Sequence, residues 1–85
     1  MKKIGVIGCI IENPQEHQAL FNEIVSEYRS FIHGRMGIPF DAHDISVITI
    51  TMVADADAIN ALTGKLGNIP GISVKTAISK KEIED

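Results

Sequence analysis

The sequence predicts an α+β sandwich in which a four-stranded antiparallel sheet carries two helices on one face. Three observations predict this class. The length of 85 residues suits one domain, two stretches have the apolar spacing of amphipathic helices, and four stretches are rich in β-branched residues. Their order is β-α-β-β-α-β, a ferredoxin-like layout, and right-handed crossovers place both helices on the same face. We expect a single domain over residues 1–85, with an ordered core at about 2–79.

The first strand is predicted at residues 2–12, and both of its sides are apolar. The alternating side chains form two sets: Ile4, Val6 and Ile10 on one side, and Ile7, Cys9 and Ile11 on the other. A strand with one solvated side would alternate apolar and polar residues. We therefore expect neither side of this strand to face water in the working molecule.

A long amphipathic helix is predicted over residues 14–32, where apolar residues recur at three- and four-residue steps. Asn13 is expected to cap this helix through its side chain. Pro14 suits the first helical position, and Glu16 completes a capping box.

Two strands and a turn are predicted in the middle of the chain. Residues 33–40 predict a short, irregular strand because they contain two glycines and a proline. A turn follows at 41–44, and residues 45–54 form the clearest strand of the chain because most of them are β-branched.

A second helix and a last strand complete the chain. Asp55 or Asp57 is expected to cap the helix. Gly67 and Asn68 predict its end, because both residue types tolerate positive φ. Alternation over residues 72–78 then predicts the fourth strand.

Helices on one face of a sheet leave the other face bare. Because the first and third strands are apolar on both sides, that bare face predicts an interface, as contiguous apolar patches on small domains usually do. We expect two copies, or a higher oligomer, to pack sheet to sheet or edge to edge around a two-fold axis. An isolated monomer with an apolar sheet is the alternative.

Charge and cysteine usage limit the partners and the compartment. The chain has 8 Lys and Arg against 11 Asp and Glu, so it has no basic footprint and no direct nucleic-acid partner is expected. No stretch of about 20 apolar residues predicts a membrane span. Cys9 is the single cysteine, which excludes a disulfide within the chain and favours a reducing, cytoplasmic location.

No constellation in the sequence identifies a reaction. Cys9 lies in mid-strand, where burial makes a thiol inert, and no carboxylate pair is placed for acid–base work. His17, His33 and His43 match no zinc spacing, although a site shared between subunits stays open for them. We predict no catalytic residue, no metal site within one chain, no cofactor and no enzymatic activity.

Two segments carry a family resemblance that spans nearly the whole chain. Residues 61–76, with Gly64-Lys65-Leu66-Gly67 at their most specific part, closely resemble the end of a small family. That family is identified as the regulator of the iron-only hydrogenase system, a candidate transcriptional regulator related to the ACT domain. The element Arg35-x-Gly37-x-Pro39 is similar to the corresponding part of the same family.

A looser resemblance runs to the ligand-binding domain of nickel-responsive repressors. Residues 43–47 resemble the entry to the metal-bearing strand of that domain. Where those repressors carry histidine ligands, this chain has Thr51 and Val53, and it lacks their DNA-binding arm. A nickel site of that type and direct DNA binding are therefore not expected.

The ACT-like resemblance implies where an effector would bind. ACT-like domains hold small ligands between the end of the first strand, the start of the first helix and a neighbouring subunit. The matching residues here are Glu12, Asn13 and Gln15, with Arg35 as a partner from elsewhere.

The resemblance thus implies an oligomeric, effector-binding regulator of the iron-only hydrogenase system without a DNA-binding domain of its own. A protein of that system is its expected macromolecular partner. Two alternatives stay open: a structural adaptor for hydrogenase maturation proteins, and a small metal-binding protein that uses histidines from two subunits.

Overall fold

The computed structural model describes residues 1–84 and contains all six predicted elements. The strands are β1 (Lys3–Glu12), β2 (Ile32–Phe40), β3 (Ile45–Ala54) and β4 (Ile72–Ile78). The helices are α1 (Pro14–Ser26) and α2 (Ala56–Gly67), and short 3-10 turns occupy Arg29–Phe31 and Asp41–His43.

The four strands form one sheet in the order β2-β3-β1-β4, and all neighbours are antiparallel. This is the strand order of a ferredoxin-like α+β fold, so the predicted fold class is confirmed. β1 lies in the interior of the sheet, where Ile7 pairs with Ile50 of β3 on one side and with Thr76 of β4 on the other.

The hydrophobic core lies between this sheet and the two helices. Its fully buried large side chains are Ile7, Ile11, Ile50 and Met52 from the sheet and Phe21, Ile59, Leu62 and Leu66 from the helices. Burying one such side chain contributes about 1.5–3 kcal/mol. These eight residues therefore supply much of what holds a chain of this length folded.

The first helix is shorter than the predicted span of 14–32. It ends at Ser26, and the backbone tightens when the N–H of Tyr28 donates to the carbonyl of Val25 at 2.9 Å. The 3-10 turn then keeps Tyr28 and Phe31 on the same side, because residues three apart superpose in that conformation. Both still pack on the core, so the apolar spacing persists although the α-helix has ended.

The second helix starts and ends where the sequence predicts, and only the backbone conformation at its end differs. The Asp55 carboxylate accepts a hydrogen bond from the N–H of Ala58 at 2.9 Å, which confirms Asp55 as the cap. Asn68 after the helix has negative φ, and the glycine with positive φ is Gly71, at +83°. The helix therefore ends at the predicted Gly67-Asn68 pair, and the left-handed residue before β4 is Gly71.

Beyond β4 the chain keeps its contact with β1. Ser79 N–H donates to the carbonyl of Ile4 at 2.8 Å, and Ile83 N–H donates to the carbonyl of Lys2 at 2.8 Å. Backbone pairing therefore continues past residue 79, and Asp85 lies outside the described residues. Within residues 1–84, neither helix has the length and apolarity that a membrane crossing requires.

Two glycines give a matched test of this packing. A Cβ on Gly5 would lie 2.9 Å from Cγ2 of the fully buried Ile59, so Gly5→Ala forces apart β1 and α2. A Cβ on Gly64 would meet nothing within 4 Å, and Gly64→Ala gains helix propensity.

We expect Gly5→Ala to lower the free energy of unfolding by about 1–3 kcal/mol and Gly64→Ala to raise it by roughly 0.5–1 kcal/mol. Urea denaturation followed by circular dichroism measures both. Equal effects of the two substitutions would contradict the close packing of α2 on β1.

Candidate functional site

The sheet face opposite the helices, here called the open face, carries large exposed apolar side chains. The exposed fractions are 46% for Val6, 48% for Ile10, 60% for Met36, 46% for Ile38 and 46% for Phe40. On β1, Ile7, Cys9 and Ile11 alternate with Val6 and Ile10. These three residues are at most 1% exposed beneath the helices. The two-sided apolar pattern of the first strand thus produces one buried set and one set that no residue from 1 to 84 fully covers.

The register groups these side chains into rows across the sheet. Ile38 of β2 pairs with Val47 of β3, which pairs with Ile10 of β1. Because their side chains point to the same face, they form one apolar row that runs from an outer strand to an inner one. This row lies near the end of the sheet where β1 stops at Glu12.

Asn13 does not cap α1 as predicted. Its backbone is left-handed at φ 49°, and its side chain makes no capping hydrogen bond. Its N–H instead donates to the carbonyl of Asp44 at 3.0 Å, which joins the start of α1 to the turn before β3. Left-handed backbone turns a capping side chain away from the helix, and asparagine tolerates that conformation better than most residues. Glu12 and Gln15 on either side are exposed.

His17 makes a contact that the sequence did not reveal. Its Nδ1 donates to the carbonyl of Glu12 at 2.7 Å, since a carbonyl oxygen can only accept. The ring lies against Gly71, where an added Cβ would come within 2.7 Å of its Cε1. His17 therefore joins the end of β1 and the first turn of α1 to the loop before β4. Gly71 is far from His17 in the sequence, so only the tertiary structure brings the two residues together.

Arg35 lies on the helix-facing side of β2. Its Nη2 donates to Oδ1 of Asn22 at 2.7 Å, and its guanidinium lies 5.6 Å from the centre of the Phe21 ring. Through the register, Arg35 is level with Ile50 and Ile7, five residues before Glu12. That offset is roughly 17 Å along the strand. One chain therefore brings Glu12, Asn13 and Gln15 together and leaves Arg35 apart.

The Cys9 thiol is held in an inert state. Cys9 is 1% exposed, and burial raises its pKa from 9.0 to about 11, although the nearby Arg35 charge lowers it. Among residues 1–84, no three His, Cys, Asp or Glu side chains gather as a metal site, and no pocket is found.

Comparison with known proteins then places the chain. Residues 3–76 match the model of the TM1266-like family, described as "Iron-only hydrogenase system regulator, putative". The chain belongs to this family. Its structure is similar to that of the uncharacterized protein TM1266 from Thermotoga maritima, with a TM-score of 0.89 and 30% identity over 94% of this chain and 100% of that one.

A more distant structural match shows the fold alone. SnoaB, a cofactor-independent oxygenase from Streptomyces nogalater, superposes with a TM-score of 0.54 at 8% identity, over 99% of this chain and 97% of that one. No curated protein matches the sequence significantly.

The state of Cys9 predicts slow alkylation. With a pKa of about 11, the native thiol is about 0.1% ionised at pH 8, against roughly 10% for a thiol at 9.0. We expect iodoacetamide to label the native protein at least about 100-fold more slowly than the protein in urea, as followed by mass spectrometry.

The native rate should also rise about tenfold per pH unit up to the pKa, since the thiolate is the nucleophile. Equal native and denatured rates at pH 8 would contradict both the burial and the raised pKa of the thiol.

Proposed function

We propose that this protein is a cytoplasmic regulatory module of the iron-only hydrogenase system that works as a homodimer joined through its open face. The family supports the regulatory role and the system. The exposed apolar side chains of the open face are the observation that carries the dimer. Covering them with a second copy removes apolar surface from water on both subunits at once.

The size of the open face suits this proposal. Four strands spaced about 4.8 Å apart, each rising about 3.3 Å per residue, give a face of roughly 500–600 Å² in projection. The accessible surface of such a corrugated face is larger, and standard interfaces bury about 800 Å² per partner. A second copy laid squarely over the face would therefore bury an area of the size that a stable two-fold dimer needs, and a displaced copy would bury less.

The proposed effector site lies at the end of the sheet, where Glu12, Asn13 and Gln15 meet the interface. Glu12 belongs to the open-face side of β1, and Gln15 to the first turn of α1. Arg35 faces the helices, so a sheet-to-sheet dimer does not carry it to the site of the other copy. It would contribute only in an edge-to-edge dimer through β2. The effector class proposed is an amino acid.

Regulation in this proposal acts through another polypeptide. The chain carries net charge −3 and 11 acidic side chains, which disfavours phosphate contacts by this domain. A protein of the hydrogenase system is the proposed recipient. The buried, unpaired Cys9 supports a reducing compartment.

The dimer can be tested with two exposed apolar residues of matched exposure. Ile10, at 48%, lies on the open face, and Leu20, at 46%, lies on α1. We expect Ile10→Glu to weaken dimerisation at least about 100-fold, because it buries an unpaired charge in the interface. Leu20→Glu should leave dimerisation unchanged.

Sedimentation velocity over a range of concentrations measures both affinities, and circular dichroism shows that both variants fold. A dimer broken by Leu20→Glu and kept by Ile10→Glu would move the interface to the helices. A wild-type protein that stays monomeric in concentrated solution would remove the dimer from the proposal.

The effector can be tested by thermal shift with amino acids, nucleotides and divalent metals. A ligand of the native state raises the melting temperature, and we expect a specific amino acid to do so. Glu12→Gln together with Gln15→Ala should abolish that shift, whereas Gln18→Ala, outside the site, should keep it. A response to metals alone would favour the metal-binding alternative, and no response at all would favour the adaptor.

A further inference from the structure

Only two strand residues with register partners on the open face are charged. Glu12 ends β1 on that face, and Lys75 lies in β4 opposite Gly8. The remaining open-face positions of the four strands carry no charge. Both side chains are exposed, and neither has an ion-pair or hydrogen-bond partner within residues 1–84.

These two charges cannot meet within one chain. Lys75 is level with Gly8, which precedes Glu12 by four residues along β1. That spacing is roughly 13 Å along the strand, with about 4.8 Å more across it. An ion pair needs its charged atoms within about 4 Å. Since neither side chain has an ion-pair partner within residues 1–84, a second molecule can supply both a carboxylate to Lys75 and a cation to Glu12.

Their positions are related through the apolar row of the open face. Ile10 lies two residues after Gly8 and two residues before Glu12, so Lys75 and Glu12 lie equally far on opposite sides of the row. A two-fold axis that runs along this row, perpendicular to the strands, brings Glu12 of the second copy to the same height along the strands as Lys75 of the first. It also stacks Ile38 and Ile10, both about half exposed, against the same row of the second copy. Met36 and Phe40 stay within this contact, whereas Val6 lies beyond it, because the row is near the end of the sheet where β1 stops.

We propose that Lys75 pairs with Glu12 of the partner subunit, twice in each dimer, and that these pairs fix the register of the two sheets. The inference rests on the proposed open-face dimer. Lys75 on β4 and Glu12 on β1 of the partner subunit are then displaced sideways by one strand spacing, which the flexible four-carbon stem of lysine spans. The pairs lie at the periphery of the row, where they set specificity more than total affinity.

The other simple symmetry is disfavoured by the same charges. An axis parallel to the strands, midway between β1 and β3, would lay Lys75 over Met36 of the partner subunit and Glu12 over Ile45 of the partner subunit. Each charge would then face an apolar side chain without a counter-ion. Burying an unpaired charge in this way is strongly unfavourable. The charges thus select one of two arrangements that the apolar surface alone would allow.

Charge reversal tests the pairing. We expect Lys75→Glu and Glu12→Lys each to weaken dimerisation about tenfold or more, because either change sets two like-charge contacts into the dimer. The double variant restores opposite charges, and its dimer affinity should return to within about threefold of the wild type. Lys80→Glu and Glu23→Lys, which change the net charge equally at exposed positions outside the four strands, serve as matched controls.

Sedimentation equilibrium at low and high salt gives the affinities, and the melting temperature of each variant reports folding. Single variants that weaken the dimer without rescue by the double variant would overturn the pairing. Unchanged affinity in both single variants, with loss of the dimer in Ile10→Glu, would overturn the pairing and leave the open-face dimer standing. A monomeric wild-type protein would remove the pairing and the dimer together.

Discussion

Everything else in this structure depends on the position of β1 in the interior of the sheet. It is hydrogen-bonded to β3 on one side and to β4 on the other, so each of its residues contributes to two ladders. One of its faces supplies Ile7, Cys9 and Ile11 to the core beneath the helices. The other face supplies Val6 and Ile10 to the open face. A change in β1 therefore acts on the stability of the fold and on the surface that faces outward.

That double role explains why so much of the fold is predictable from sequence. The first strand is apolar on both sides, and the two helices can cover only one side of the sheet. The sequence therefore predicts two layers, with the helices packed on one face and the other face of the sheet uncovered. Strong local patterns fixed β3 and β4 at their observed bounds. The end of α1 was predicted six residues too late, because a 3-10 turn preserves the three-residue apolar spacing. The spacing of apolar residues therefore cannot distinguish an α-helix from a 3-10 helix at such a boundary.

The candidate site was less predictable, since its contacts join residues far apart in the chain. The left-handed backbone of Asn13 follows from its hydrogen bond with Asp44, which no local pattern encodes. The bond between His17 and the end of β1 depends on the loop that carries Gly71. The resemblance groups Arg35 with the β1–α1 loop, whereas the register pairs it with Ile50 and its guanidinium donates to Asn22. Residue type located these side chains on the right elements and could not locate their neighbours.

One of the two edge strands, β2, has a further consequence for the protein at high concentration. It contains Pro39, which has no N–H to donate, and its pairing with β3 is irregular between Ile32 and Gly34. Missing donors and irregular pairing make a poor template for the addition of foreign strands, which is how sheets grow into fibrils. The sheet can thus keep an apolar face for association while its β2 edge resists the addition of further strands.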